Sequence, residues 1–217
     1  MNDQMFSVPQ AVFASSDRGR VKGYQLVAQS SGIDSATALE LTRWAPTQLP
    51  SDAPENWTIS CWQPTDDSYL IARTVYGGPE YSNRGGTQVV TMMMLMSEAQ
   101  FRAYEYDALA VVKTSLALGY LRLPIDMRQE SLRPVEIPSF PILVSGSDIA
   151  GGSALSDSLL DEATGIIGSA NRVALIGVSE PFEFAEQIIS RLTIDQRKSF
   201  TFTTGLSPSI RRPLQAH

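Results

Sequence analysis

The chain has 217 residues, 43% of them hydrophobic and 18% charged, with a formal net charge of -6; that is enough chain for one large domain or two small ones with a real core. The acidic balance argues against nucleic acid as the main partner, because phosphate binding needs a basic surface. One cysteine, Cys61, excludes an intrachain disulfide, and the one histidine, His217, stands last in the sequence, which excludes triads and most zinc sites built on an internal imidazole.

Taken in order, Gln10–Ala14 predicts a first strand and Tyr24–Gln29 its antiparallel partner, joined by a Ser/Asp/Gly turn. Asp34 or Ser35 then caps a helix through Trp44, with Leu39, Leu41 and Trp44 as core residues and Pro46 at its end. Trp57–Gln63 alternates, placing Trp57, Ile59 and Cys61 on one face and Trp62 on the other. Ser68–Tyr76 pairs back on it as a hairpin.

The run RGGTQVVTMMMLMSEAQF, Arg84–Phe101, organises the chain. Val89–Met96 has the length and apolarity of a buried central strand, far short of a membrane span. Ser97 and Gln100 have the spacing of a capping box, and Met96 with Phe101 that of a hydrophobic staple. A helix with Phe101 and Tyr104 on one stripe follows, restarted at Asp107 and carrying Leu109, Val112 and Leu116 up to Gly119.

Four prolines between Leu121 and Pro141 predict a connector without long regular structure. Beyond it, Ile142–Ser145 begins a second lobe, a helix spans Leu155–Ala163, and Arg172–Val178 has the pattern of a buried strand. Pro181 opens another helix with Phe182, Ala185, Ile188, Ile189 and Leu192 on its apolar face, and Ser199–Thr204 is a final strand. The expected architecture is α+β: an antiparallel sheet with packed helices in a first lobe (residues 1–123), a Pro-rich connector (124–141), and a smaller βαβ-containing lobe (142–217). One continuous domain is the alternative.

Two loops carry candidate chemistry. In the glycine-rich loop before the central strand, Tyr81, Asn83, Arg84, Gly85 and Gly86 combine backbone amides with a guanidinium, and Arg73 on the preceding strand is a second cation. Such a set could grip an anion or a peptide carboxylate. The loop GSDIAGGS places Gly146, Ser147, Gly151, Gly152 and Ser153 between a strand and a helix, the setting of a phosphate loop, but Gly152 stands where that motif needs its lysine. The carboxylates Asp66-Asp67, Asp157 with Asp161-Glu162, and Glu180 with Glu183 and Glu186 fall in a turn and on exposed helix positions. A hydrolase or transferase working through carboxylate, Ser or Lys, and an anion or nucleotide sensor at Gly146–Ser153, are therefore the alternatives to a binding module. No metal cluster and no cofactor motif is legible. No leader or membrane-spanning run is legible either, so a cytoplasmic location is expected.

The segments QAVFASS, GYQLVAQSSGI, RGGTQVVTMMMLMS and SFTFTTGL, in that order, resemble the N-terminal region of the bacterial GTPase-associated proteins, multidomain proteins of conflict (defence-type) systems. Gly23, Gln25, Ala28, Ser30, Gly32 and Ile33 match the family's early pattern, with one extra residue before Gly32. Arg84, Gly85 and Gly86 match its basic glycine turn. Thr91 or Met92 stands where relatives place a histidine, so a histidine-dependent role does not carry over. The resemblance implies a recognition or scaffold domain without catalysis, a protein partner that is a GTPase, and nucleotide hydrolysis by that partner.

Overall fold

The computed structural model describes residues 4–17, 22–50, 56–80, 86–123, 131–141, 157–169, 171–209, 212 and 214–217. In chain order the elements are β1 (Met5–Val8), β2 (Gln10–Ser16), β3 (Gly23–Ser30), α1 (Ser35–Trp44), β4 (Trp57–Thr65), β5 (Ser68–Pro79) and β6 (Thr87–Ser97). There follow α2 (Glu98–Arg102), α3 (Ala108–Ala117), β7 (Ser131–Leu132), β8 (Val135–Pro138), α4 (Asp157–Gly168), α5 (Pro181–Arg191), α6 (Ile194–Ser199) and β9 (Phe202–Thr203).

Among the described residues, seven strands form one mixed sheet in the order β7-β3-β2-β6-β5-β4-β9, and β1 pairs with β8 in a second, antiparallel sheet. The fold is α+β, as expected. Strand β6 lies at the centre, antiparallel to β2 on one side and β5 on the other. Its apolar run, interrupted between Val89 and Met96 only by the buried Thr91, follows from burial on both faces. Val90, Met92, Met94 and Met96 pack with Phe101, Tyr104, Leu109 and Val112, and with α4 and α5. Met93 points the other way, into a smaller core with Leu41, Ala45, Trp62 and Leu70.

The capping box predicted at Ser97 is present: the Gln100 amide donates to Ser97 Oγ at 3.3 Å, and the Ser97 amide donates to Gln100 Oε1 at 2.9 Å. Helix α2 lasts only five residues. The chain then reverses through Glu105 and Tyr106, at φ of 53° and 56°, and Asp107 starts α3 by accepting the Leu109 and Ala110 amides, both at 2.9 Å. In α1, capped by Asp34, one of the two expected caps, Leu41 is fully buried but Leu39 is 68% exposed. Two positions apart on a helix is about 200° of rotation, so both cannot face one sheet.

The proline-rich stretch is more regular than expected. Its Ser131–Leu132 joins the main sheet beside β3, and Val135–Pro138 pairs with β1. Arg172–Val178 differs too: the buried strand expected there is an edge segment, with Ile176 97% exposed. Val173 makes an isolated parallel bridge to Ala216, and Ala216 a second to Phe202. Residues 173–175 and β9 thus run parallel around α5, in the sense of the expected βαβ unit, but Gln215–His217 lies between them. The Val173 and Leu175 amides donate to Gln215 and His217 carbonyls at 2.7 and 2.9 Å, and the Thr203 amide donates to the Ala216 carbonyl at 2.9 Å. On its other side β9 is antiparallel to β4. No helix among the described residues is long and apolar enough to cross a membrane.

Candidate functional site

Strand β5 positions Arg73 opposite Ile59 of β4 and Met92 of β6. Its Nη1 donates to the Leu121 carbonyl at 3.2 Å, and the guanidinium sits 5.5 Å from the centre of the Trp57 ring. Trp57 meets Phe182 edge to face at 5.7 Å, and Lys113 lies 5.8 Å over the same Phe182 ring. This cation–aromatic series ties α5 and α3 to the sheet, so Arg73 is engaged in architecture. Gly86 accepts the Glu80 amide at 2.9 Å, closing the base of the loop before β6. The register places Thr87 opposite Pro79, six residues along β5 from Arg73, which at about 3.3 Å per residue separates Gly86 and Arg73 by roughly 20 Å. The structure does not bring these two together. Tyr81, Asn83, Arg84 and Gly85 lie outside the described residues, as do Gly146, Ser147, Gly151, Gly152 and Ser153.

The carboxylates join helices at the surface. Asp157 and Asp161 of α4 both pair with Arg191 of α5, at 2.7 and 3.7 Å, and Glu186 of α5 pairs with Lys113 of α3. Glu98 accepts Lys198 at 2.7 Å and the Tyr106 hydroxyl at 3.2 Å; the bond from Lys198 is the main reason its carboxyl is held below the usual range. Cys61 is 2% exposed on β4, and burial pushes its thiol up to about 12, so a thiolate nucleophile is not formed near neutral pH. No group of three His, Cys, Asp or Glu among the described residues could hold a metal ion.

A cavity of about 290 Å³ opens where residues 174–178, the segment 203–208 and the end of the sequence meet the first turns of α5. Its walls include Leu175, Val178, Phe184, Ile188, Phe202 and Leu206, with His217 also lining it. The His217 ring lies with Nδ1 3.3 Å from the Leu206 carbonyl. Burial pulls its pKa below the ordinary imidazole value, and the neighbouring Arg212 and Arg172 push the same way. Sequence reasoning did not find this chamber. The signal it left is weak: Gly177 and Gly205 each follow a segment of the parallel ladder, and crevices beyond the carboxyl ends of parallel strands are common ligand sites.

Residues 7–114 match the family model described as GTPase-associated protein 1, N-terminal domain type 2. That span starts in β1 and ends in α3, and of the cavity-lining residues it contains Pro50 alone. No curated protein and no solved structure matches the chain.

Proposed function

Because the chain belongs, through residues 7–114, to the family of GTPase-associated protein 1 N-terminal domains of type 2, we propose that it is a non-catalytic interaction domain of a larger bacterial assembly of the defence type, acting with a GTPase partner. The family match is the observation that carries this reading. It coincides with the part of the fold built on β6, including α1 and the β4–β5–β6 meander. The engagement of Arg73, Asp157, Asp161 and Glu186 in contacts between elements, and the burial of Cys61, support a role in binding. The loop Tyr81–Gly86, with Arg84 as its cation, is the contact proposed for the partner.

The test is co-expression of the natural full-length protein with any GTPase encoded in its gene neighbourhood, followed by affinity purification and gel filtration. A stoichiometric complex is expected, weakened about tenfold by Arg84→Glu, as charge reversal at a contact does. Absence of any complex at micromolar concentrations, or GTP hydrolysis by this chain alone, would overturn the reading.

A further inference from the structure

The cavity beside α5 falls almost wholly outside the family-matched span, and no Asp, Glu, Lys or Arg is among its described lining residues. An ion placed there would lose hydration and meet no counter-charge on the walls, so the chamber selects for uncharged molecules. Val178, Phe184, Ile188 and the stacked pair Phe200 and Phe202, 5.1 Å between ring centroids, supply apolar wall. Water held against such walls finds few partners, and its displacement by an apolar body is favourable. An apolar cavity of about 150 Å³ holds one benzene. At about 290 Å³ this one has room for a molecule of roughly ten to twelve non-hydrogen atoms.

Four lining side chains are polar: Thr203, Thr204, Ser207 and His217. Thr203 Oγ1 lies 3.1 Å from Thr58 Oγ1 and accepts Ser60 Oγ at 3.0 Å, while Thr204 Oγ1 accepts the Ile59 amide at 3.0 Å. Both hydroxyls are thus committed to β4, and Ser207 is exposed to water. His217 is the exception. Its Nδ1 lies 3.3 Å from the Leu206 carbonyl; a carbonyl can only accept, so Nδ1 carries the proton. Burial, aided by the nearby Arg212 and Arg172, favours the neutral ring. In that ring Nε2 is an acceptor, and it makes no hydrogen bond among the described residues. The group that completes it is a neutral donor, and a hydroxyl is the simplest one.

We propose that this cavity binds an uncharged alcohol or phenol of roughly ten to twelve non-hydrogen atoms, its apolar body against Phe184, Ile188 and Phe202 and its hydroxyl donating to His217 Nε2. The site is independent of the GTPase reading, and either can fail without the other.

Isothermal titration of the whole chain near neutral pH with para-propylphenol, para-propyltoluene, para-propylanisole and para-propylbenzoate tests the proposal. The phenol is expected to saturate one site per chain, about tenfold tighter than the toluene and the anisole, which lack the donor proton. The benzoate, whose charge has no partner on the walls, should bind weakest. His217→Phe keeps a ring and removes the acceptor, so it should bring the phenol to the level of the toluene and leave the toluene unchanged. His217 is the one histidine of the sequence, so its ring nitrogens give a single assignable pair of resonances in tag-free, isotope-labelled protein. Saturating phenol should move the Nε2 resonance, and the anisole should move it little. That measurement uses the native chain and does not depend on the variant folding. The proposal is overturned by the absence of saturable phenol binding at millimolar concentration, by equal binding of phenol and toluene, by benzoate binding as tight as phenol, or by an Nε2 resonance unmoved at saturation.

Discussion

The indole rings of Trp44 and Trp62 lie stacked, 5.4 Å between centroids and 10° from parallel. Trp44 ends α1 and Trp62 belongs to β4, so the pair fastens the helix to the smaller core. Trp62 is 3% exposed, and its indole N–H has no partner among the described residues. The contact therefore rests on dispersion and buried area. Trp44→Ala should lower stability by about 2–4 kcal/mol, read as an earlier urea midpoint, and should remove the near-ultraviolet dichroism of the stacked pair. An unchanged midpoint would mean that α1 holds without the stack.

Gly77 offers a sharper test of packing around β6. A Cβ there would meet Val90 Cγ2 at 2.2 Å, and Val90 is fully buried. A β-branched side chain has little rotamer freedom with which to yield. Gly77→Ala should cost about 1–3 kcal/mol by overpacking. Its neighbour Gly78 stands at φ +93° in open space, so Gly78→Ala meets only backbone strain of about 1–2 kcal/mol. Thermal melting of the two variants should rank Gly77→Ala as the more damaging.

Asp107 caps α3 from a half-buried position, and desolvation there raises its carboxyl above the usual range despite the two amide bonds that favour the anion. A folded pKa above the unfolded one means that the folded state binds more protons between the two values. Stability should therefore fall as pH rises from the ordinary aspartate value of about 3.9 through the raised folded value. Asp107→Asn keeps the acceptor for both amides and removes the charge. It should flatten that slope and leave stability at pH 7 equal or higher, whereas Asp107→Ala should cost about 1 kcal/mol. Urea titrations across the pH range would separate the two; a loss in the Asn variant as large as in the Ala variant would contradict the assignment.

Cys61 should resist alkylation in the folded protein, since burial pushes its thiol up to about 12 and the thiolate is the reacting species. Iodoacetamide at pH 8 followed by mass spectrometry should show no adduct until urea unfolds the chain. Rapid native labelling would place Cys61 in a more open environment.

Local signals in the sequence carried well. The capping box at Ser97–Gln100, the Asp34 cap and the opposed faces of Trp62 and Cys61 each depend on neighbours within a few residues. The length of α2 was not legible, because the reversal at Glu105 and Tyr106 uses positive φ without glycine. Prolines 134 and 138 concealed β7 and β8, whose short edge positions tolerate proline. The apolar run of Arg172–Val178 looks the same in a sequence whether its strand is central or at an edge. What decides the matter is its partner, Gln215–His217, which has no apolar run of its own. The cavity depends on the same long-range pairing, and for that reason it left almost no mark on the sequence. The candidate loops were read from glycine and charge, and of their members only Arg73 and Gly86 have a described setting.

The insertion of residues 215–217 between two earlier segments also fixes an order of events during synthesis. Residues 173–175 and β9 leave the ribosome first, yet the backbone groups of both that face this gap are satisfied by the tripeptide that follows. The β3–β2–β6–β5–β4 part of the sheet is complete in sequence once β6 has emerged, whereas this ladder must wait for residues 215–217. A nascent chain halted before residue 215 would hold a formed β2–β6–β5–β4 sheet and an open groove beside α5.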